Sequence, residues 1–119
     1  MTYNPDNIFA KILRAEIPNN TVYENDHVLV FDDITPQAAV HCLIIPKGAY
    51  TDQADFSARA SDAEIIAFER AIATVVDIKG IGNDGYRAVC NTKENGRQEV
   101  PHYHMHILGG EKLPAMITG

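Results

Sequence analysis

Gln98-Glu99-Val100-Pro101-His102-Tyr103-His104-Met105-His106-Ile107-Leu108-Gly109-Gly110 is the stretch on which the reading of this chain turns. Three of the five histidines stand at every second position, His102, His104 and His106, with Tyr103, Met105 and Ile107 between them. Period two is the period of a β-strand, so the imidazoles are expected on one face and the apolar residues on the other, packed against helices. Pro101 suits a strand start, where a missing N–H is tolerated, and Gly109-Gly110 opens a turn. A merely solvated polar face is the plainer alternative, and the clean, bounded run of a scarce residue type weighs against it.

With 119 residues the chain is expected to form a single domain spanning 1–119, large enough for one hydrophobic core. Its N-terminus shows neither a basic n-region nor an apolar h-region, and no apolar run approaches the ~20 residues of a membrane span. A cytoplasmic protein with no membrane association is expected. Cys42 and Cys90 lie in apolar, strand-like runs and read as buried free thiols. A formal net charge of −6 without a basic cluster opposes binding to nucleic acid, which needs many phosphate contacts from Lys and Arg. One small anion can still be held by N–H groups and histidines.

Upstream of the histidines, Asn4-Pro5-Asp6 has the form of a helix start with Asn4 as N-cap, followed by Ile8, Phe9, Ile12 and Leu13 on one stripe. Thr21 to Tyr23 and Val28 to Phe31 read as an antiparallel hairpin in which Leu29, Phe31 and Asp33 face one way and Val28, Val30 and Asp32 the other. Val40 to Pro46 is apolar enough for a central strand, and His41 inside it needs a hydrogen-bond partner. Residues 47 to 60 read as a polar connection without a motif. Ser61-Asp62-Ala63-Glu64 is a capping box that opens a long helix closed by Gly80. Tyr86 to Asn91 is a further strand, forming a hairpin with the histidine run across a polar loop. The expected class is α+β, a five-stranded antiparallel sheet with two helices.

Alternate residues of a strand lie ~6.6 Å apart, so His102 and His106 are separated by roughly 13 Å, a stretch for a single metal ion. One His-x-His pair completed by His41 or an acid would suit zinc better. The row fits a small anion better still, because neutral imidazole can attack phosphorus while its neighbours donate to phosphoryl oxygens, with His104 in the central position. No metal and no cofactor are expected.

The chain resembles the histidine-triad family, whose motif alternates His with apolar residues as His102-Tyr103-His104-Met105-His106-Ile107-Leu108 does. The resemblance runs nearly end to end, through Ile8-Phe9-Ala10-Lys11-Ile12, Glu16-Ile17-Pro18, Asp33-Ile34-Thr35-Pro36-Gln37-Ala38, His41, Ile45-Pro46-Lys47 and Gly85-Tyr86-Arg87. Leu108-Gly109-Gly110 points to the nucleotide-binding branch with purine nucleoside phosphoramidase activity. This resemblance implies a homodimer with a histidine-triad fold that binds a nucleoside monophosphate, AMP or GMP, on its sheet. It implies that Ile8, Phe9, Ile12, Phe31, Ile34 and Leu43 enclose the base and that Asp33 accepts from the ribose hydroxyls. Asn91, Gln98, His106 and the Glu99 main-chain N–H would contact the phosphate. His104 would attack the α-phosphorus, oriented by His102, which would itself bond to His41. The chain departs from the family pattern in the loop Asn95-Gly96-Arg97-Gln98, where Arg97 replaces a glycine. Glu99 stands where a serine is found in well-known relatives, and Ala49 replaces a histidine.

The implied activity is hydrolysis of a purine nucleoside phosphoramidate or acyl-nucleotide through a nucleotidyl-histidine intermediate, without a metal. Two alternatives stand beside it: a dinucleoside polyphosphate hydrolase, and a nucleotide-sensing module with little turnover. The apolar residues Ile66, Ala67, Ile72, Ala73 and Val76 of the long helix, more than a small sheet needs, independently favour self-association.

Overall fold

The architecture was obtained as a computed structural model, which describes residues 2–116. In chain order the elements are α1 (Ile8–Leu13), β1 (Thr21–Glu24), β2 (Val28–Asp32), β3 (Val40–Pro46), α2 (Gln53–Arg59), α3 (Asp62–Lys79), β4 (Tyr86–Val89) and β5 (Met105–Gly109). The strands form one antiparallel sheet in the order β1-β2-β3-β5-β4, so the apolar run 40–46 is the central strand, as expected.

The two faces of this sheet divide the molecule. Val28, Val30, Cys42, Ile44 and Ile107 point to one face and form a core with Phe56 of α2, with Phe68, Ala71 and Val75 of α3, and with Tyr103. Leu29, Phe31, Leu43 and Ile45 alternate with them on the other face, where Phe9 of α1 packs on them. Each such fully buried aliphatic or aromatic side chain contributes about 1.5–3 kcal/mol. The long helix starts and stops as its sequence requires. Ser61 Oγ accepts from the Glu64 N–H while Glu64 Oε1 accepts from the Ser61 N–H, and Gly80 closes the helix at φ 66°, a left-handed conformation that costs a non-glycine residue about 1–2 kcal/mol.

Three readings of the sequence are corrected. The first helix is capped by Asn7, whose Oδ1 accepts from the Ala10 N–H, whereas Asn4 holds only a turn through the Asp6 N–H. The connection 47–60 contains α2, capped by the buried Asp52, whose carboxylate accepts from the Asp55 N–H, so the described residues carry three helices instead of two. The histidine run enters the sheet only at Met105. Beyond that point β3 has ended at Pro46, which has no N–H to offer, and the Tyr103 N–H turns to the Tyr50 carbonyl at 2.8 Å. Alternation of sides nevertheless persists through this extended segment, with Tyr103, Met105 and Ile107 in the helix-covered core.

Candidate active site

The three histidines lie on the face opposite α2 and α3, and each is held by a different element. His102 is fully buried. Its Nε2 lies 2.8 Å from the Pro46 carbonyl, which can only accept, so Nε2 carries the proton. Its Nδ1 is therefore an acceptor and receives the Tyr3 hydroxyl at 2.7 Å. His104 also donates to a main-chain carbonyl but from its other nitrogen, Nδ1–H to the His102 carbonyl at 2.8 Å, the reverse of the His102 tautomer. The Nε2 of His104 is left with its lone pair and no partner among the described residues, and the ring is flanked by the edge-on Phe9 at 5.0 Å between centroids.

His106 takes the tautomer opposite to that of His104 and the same as that of His102. The Gln37 main-chain N–H donates to His41 Nδ1 at 3.1 Å, which places the His41 proton on Nε2. That proton is shared between His106 Nδ1 at 2.9 Å and the Asp33 carboxylate at 3.4 Å. With Nδ1 accepting, His106 bears its own proton on Nε2. The site thus presents an unprotonated nitrogen from His104 beside an N–H donor from His106.

Burial sets the charge of the group. Loss of water, with a smaller contribution from the neighbouring histidines, holds His102 and His106 down at about 4. His104 and His41 are also lowered, again chiefly by burial, against the opposing pull of the Asp33 charge on both and of Glu99 on His104. All four imidazoles are neutral at pH 7.

A cleft of about 190 Å³ opens beside this array, lined by Gln37, His41, Val89, Asn91, Arg97, Glu99, His104, His106 and Leu108. Asn91 and Glu99 thus line the same cleft as His41, His104 and His106, whereas Phe9, Phe31 and Leu43, with Ile12 packed against them, form an apolar floor beside the cleft on the β2–β3 part of the same face, reached through the contact of Phe9 with His104. Asp33 stands at the end of β2, where Oδ1 accepts from the Thr35 N–H at 2.8 Å and Oδ2 faces His41. Ile8 is half exposed and Ile34 is 96% exposed, and neither lines the cleft.

Two expectations fail in detail. His41 pairs with His106 and not with His102, because in the antiparallel register His41 opposes Leu108 and Leu43 opposes His106, making the two histidines diagonal neighbours on one face. His102 lies at the far, Pro46 end of the strand. Gln98 does not line the cleft. Its Nε2 donates to the carbonyls of Thr51 and Val100, and its Oε1 accepts from the Lys93 N–H, so the amide ties the β4–β5 loop to the start of α2. Tyr3 and Gln37, which hold the two ends of the hydrogen-bond system, carry no signal in the sequence that singles them out.

Asp33, His41 and His106 bring ligand atoms within 4.8 Å of one another, a spacing open to a cation. Their chemistry fits one poorly: the N–H of Gln37 occupies one nitrogen of His41 and forces a proton onto the other, which the remaining two groups already share.

The HIT domain family model matches residues 14–113. A purine nucleoside phosphoramidase of Escherichia coli is 44% identical over 113 residues, covering 95% of this chain and 94% of that protein. An uncharacterized HIT-like protein of Azospirillum brasilense is 52% identical over 98% of this chain and 96% of its own length. The structure of a histidine triad protein from Clostridium difficile superposes with a TM-score of 0.85 at 38% identity, covering 98% of this chain and all of that one. Alternating histidines held in fixed tautomers on one face of a five-stranded antiparallel sheet, together with a family match over most of its length, show that the chain belongs to the HIT family.

Proposed function

We propose that the chain hydrolyses purine nucleoside phosphoramidates or acyl-nucleotides by passing the nucleoside monophosphate to His104 and then to water. The observation that carries this reading is the tautomer of His104, with Nδ1–H fixed on the His102 carbonyl and the lone pair of Nε2 free beside the cleft. In the first step Nε2 forms a bond to the α-phosphorus and the bond from phosphorus to the leaving nitrogen or acyl oxygen breaks, a departing amine taking up a proton from solvent and an acyl group leaving as its carboxylate. In the second, water adds to phosphorus and gives up a proton to solvent, the P–N bond to His104 breaks, and the neutral imidazole is regenerated. His106 Nε2–H and the Glu99 main-chain N–H, which donates to no group among the described residues, supply the donors for phosphoryl oxygens. Asn91 completes that set.

The apolar floor of Phe9, Ile12, Phe31 and Leu43 receives the base, with Ile8 and Ile34 covering it at the rim. Asp33 retains lone pairs for the ribose hydroxyls after bonding to Thr35 and His41. The similarity to a purine nucleoside phosphoramidase favours a purine. The working unit is a homodimer in this reading, and no metal takes part. No helix among the described residues is long and apolar enough to cross a membrane.

Turnover of adenosine and guanosine 5′-phosphoramidates should be measured against diadenosine polyphosphates. Preferential release of AMP or GMP from the phosphoramidates is the expected result. Preference for the polyphosphates would assign the chain to the other hydrolytic branch, and tight AMP binding without turnover of any substrate would make it a sensing module.

A further inference from the structure

Arg97 sits where glycine would be at ease. Its φ is 62°, in the left-handed region, where a side chain costs about 1–2 kcal/mol. The loop leaves it no other path: the N–H groups of Gly96, Arg97 and Gln98 bond to the carbonyls of Thr92, Glu94 and Lys93, and a Cβ on Gly96 would stand 2.6 Å from the Thr92 backbone. Gln98 then anchors the loop to Thr51. A rigid, strained segment therefore presents Arg97 to the cleft that His104 and His106 line. Its guanidinium forms no ion pair among the described residues, and neither does Glu99, the other charged residue of the loop at this cleft.

Sheet order places these charges on the leaving-group side. The apolar floor lies over β2 and β3, whereas Val89, Asn91, Arg97 and Glu99 belong to β4 and the loop after it, beyond β5. With the nucleoside over β2–β3 and phosphorus at His104, the group that departs opposite the nucleophile extends towards Arg97. A guanidinium offers two parallel N–H donors to a carboxylate, and the nearby Glu99 carboxylate disfavours a more highly charged phosphate there while accepting the N–H of an amine.

We propose that Arg97 is a specificity residue that selects leaving groups carrying a carboxylate beside the amine bonded to phosphorus. This inference rests on the reading of His104 as the nucleophile and of the β4-side cleft as its leaving-group side. Its test is separated from the chemistry by measuring affinity in a His104→Ala background. Titration calorimetry compares the adenosine 5′-phosphoramidate of β-alanine, the matching carboxamide, and ADP, in which phosphate takes the leaving-group place.

With Arg97 present, the carboxylate compound should bind roughly three- to tenfold more tightly than the carboxamide, and adding Arg97→Gly should bring the two within twofold. Arg97→Gly relieves the left-handed strain, so the thermal midpoint should hold or rise. Equal affinity of carboxylate and carboxamide with Arg97 present, or an unchanged ratio in Arg97→Gly, overturns the proposal. A larger Arg97-dependent gain for ADP than for the carboxylate overturns it in favour of a phosphate site. Should the ratio behave as expected while the unmutated protein cleaves none of these compounds, Arg97 keeps its role and the hydrolytic reading is what fails.

Discussion

The Nδ1 of His104 lies 2.8 Å from the main-chain carbonyl oxygen of His102, two residues earlier on the same extended segment, and this one bond decides which nitrogen can act as a nucleophile. His104→Ala removes that nitrogen and should lower the rate about a thousandfold or more, equivalent to ~4 kcal/mol, while AMP still binds through the Asp33 side and the apolar floor. Rapid quench with a labelled phosphoramidate should trap acid-labile, base-stable nucleotidyl-protein in the parent and none in the variant, and EDTA should leave the rate unchanged. Label on another residue, or activity lost in EDTA and restored by zinc, would sink the mechanism.

Burial lowers His104 from its ordinary value of 6.5, so the acid limb of kcat/KM should have its midpoint below pH 6.5. A midpoint at or above 6.5 would contradict the burial seen at the site. Stability should respond with the same sign. Between pH 6.5 and about 4 the unfolded chain binds a proton at His102 that the folded chain excludes, so stability is present above 6.5 and lost as pH falls through that window, by up to about 3 kcal/mol. His106 adds in the same direction. Urea unfolding at pH 7 and pH 4.5 checks this.

Tyr3→Phe withdraws the donor that satisfies the buried Nδ1 of His102. An orphaned buried acceptor costs about 1–3 kcal/mol, so the urea midpoint should fall without a change in slope. Because His102 carries the carbonyl that orients His104, kcat should fall more than KM rises. A variant as stable and as active as the parent would remove Tyr3 from the account.

Asp33→Asn replaces a charged acceptor for ribose hydroxyls by a neutral one and should weaken nucleotide binding by about 1 kcal/mol or more, leaving the chemical step largely intact. Comparison with 2′,3′-dideoxy substrates gives the check: they should lose much less on the variant than the ribose forms do. Equal losses would rule out the ribose role.

Self-association is expected from α3. Ile66 is 53% exposed and Ala73, two turns along the same face, is exposed as well, whereas Ile72 and Val76 pack against the core and so lend less to an outer surface than the sequence pattern suggests. Sedimentation at micromolar concentration should show twice the 13.1 kDa chain mass, and Ile66→Asp should shift the population to monomer. A parent that sediments as a monomer would refute the dimer.

Local rules of the chain carried much of this molecule. The central strand, the capping box at Ser61, the stop at Gly80 and the division of Phe31 from Val30 between two faces all follow from side-chain period and capping chemistry, which act between residues a few positions apart. Local chemistry that was present but weak, such as the Asp52 cap of α2 or the Asn7 cap of α1, was masked by polar surroundings or by the neighbouring Asn4-Pro5 pattern. Neither the shortness of β5 nor the pairing of His41 with His106 could be read along the chain, because both depend on where Pro46 ends the neighbouring strand and on an antiparallel register. The histidine spacing determined that three imidazoles share one side. For His104 the proton is placed by the carbonyl two residues earlier, but which nitrogen of His102 and His106 bears it was decided only by groups distant in sequence, Tyr3 and Pro46 for His102 and Gln37 acting through His41 for His106, because a tautomer is set by the hydrogen-bond partners that folding brings within reach.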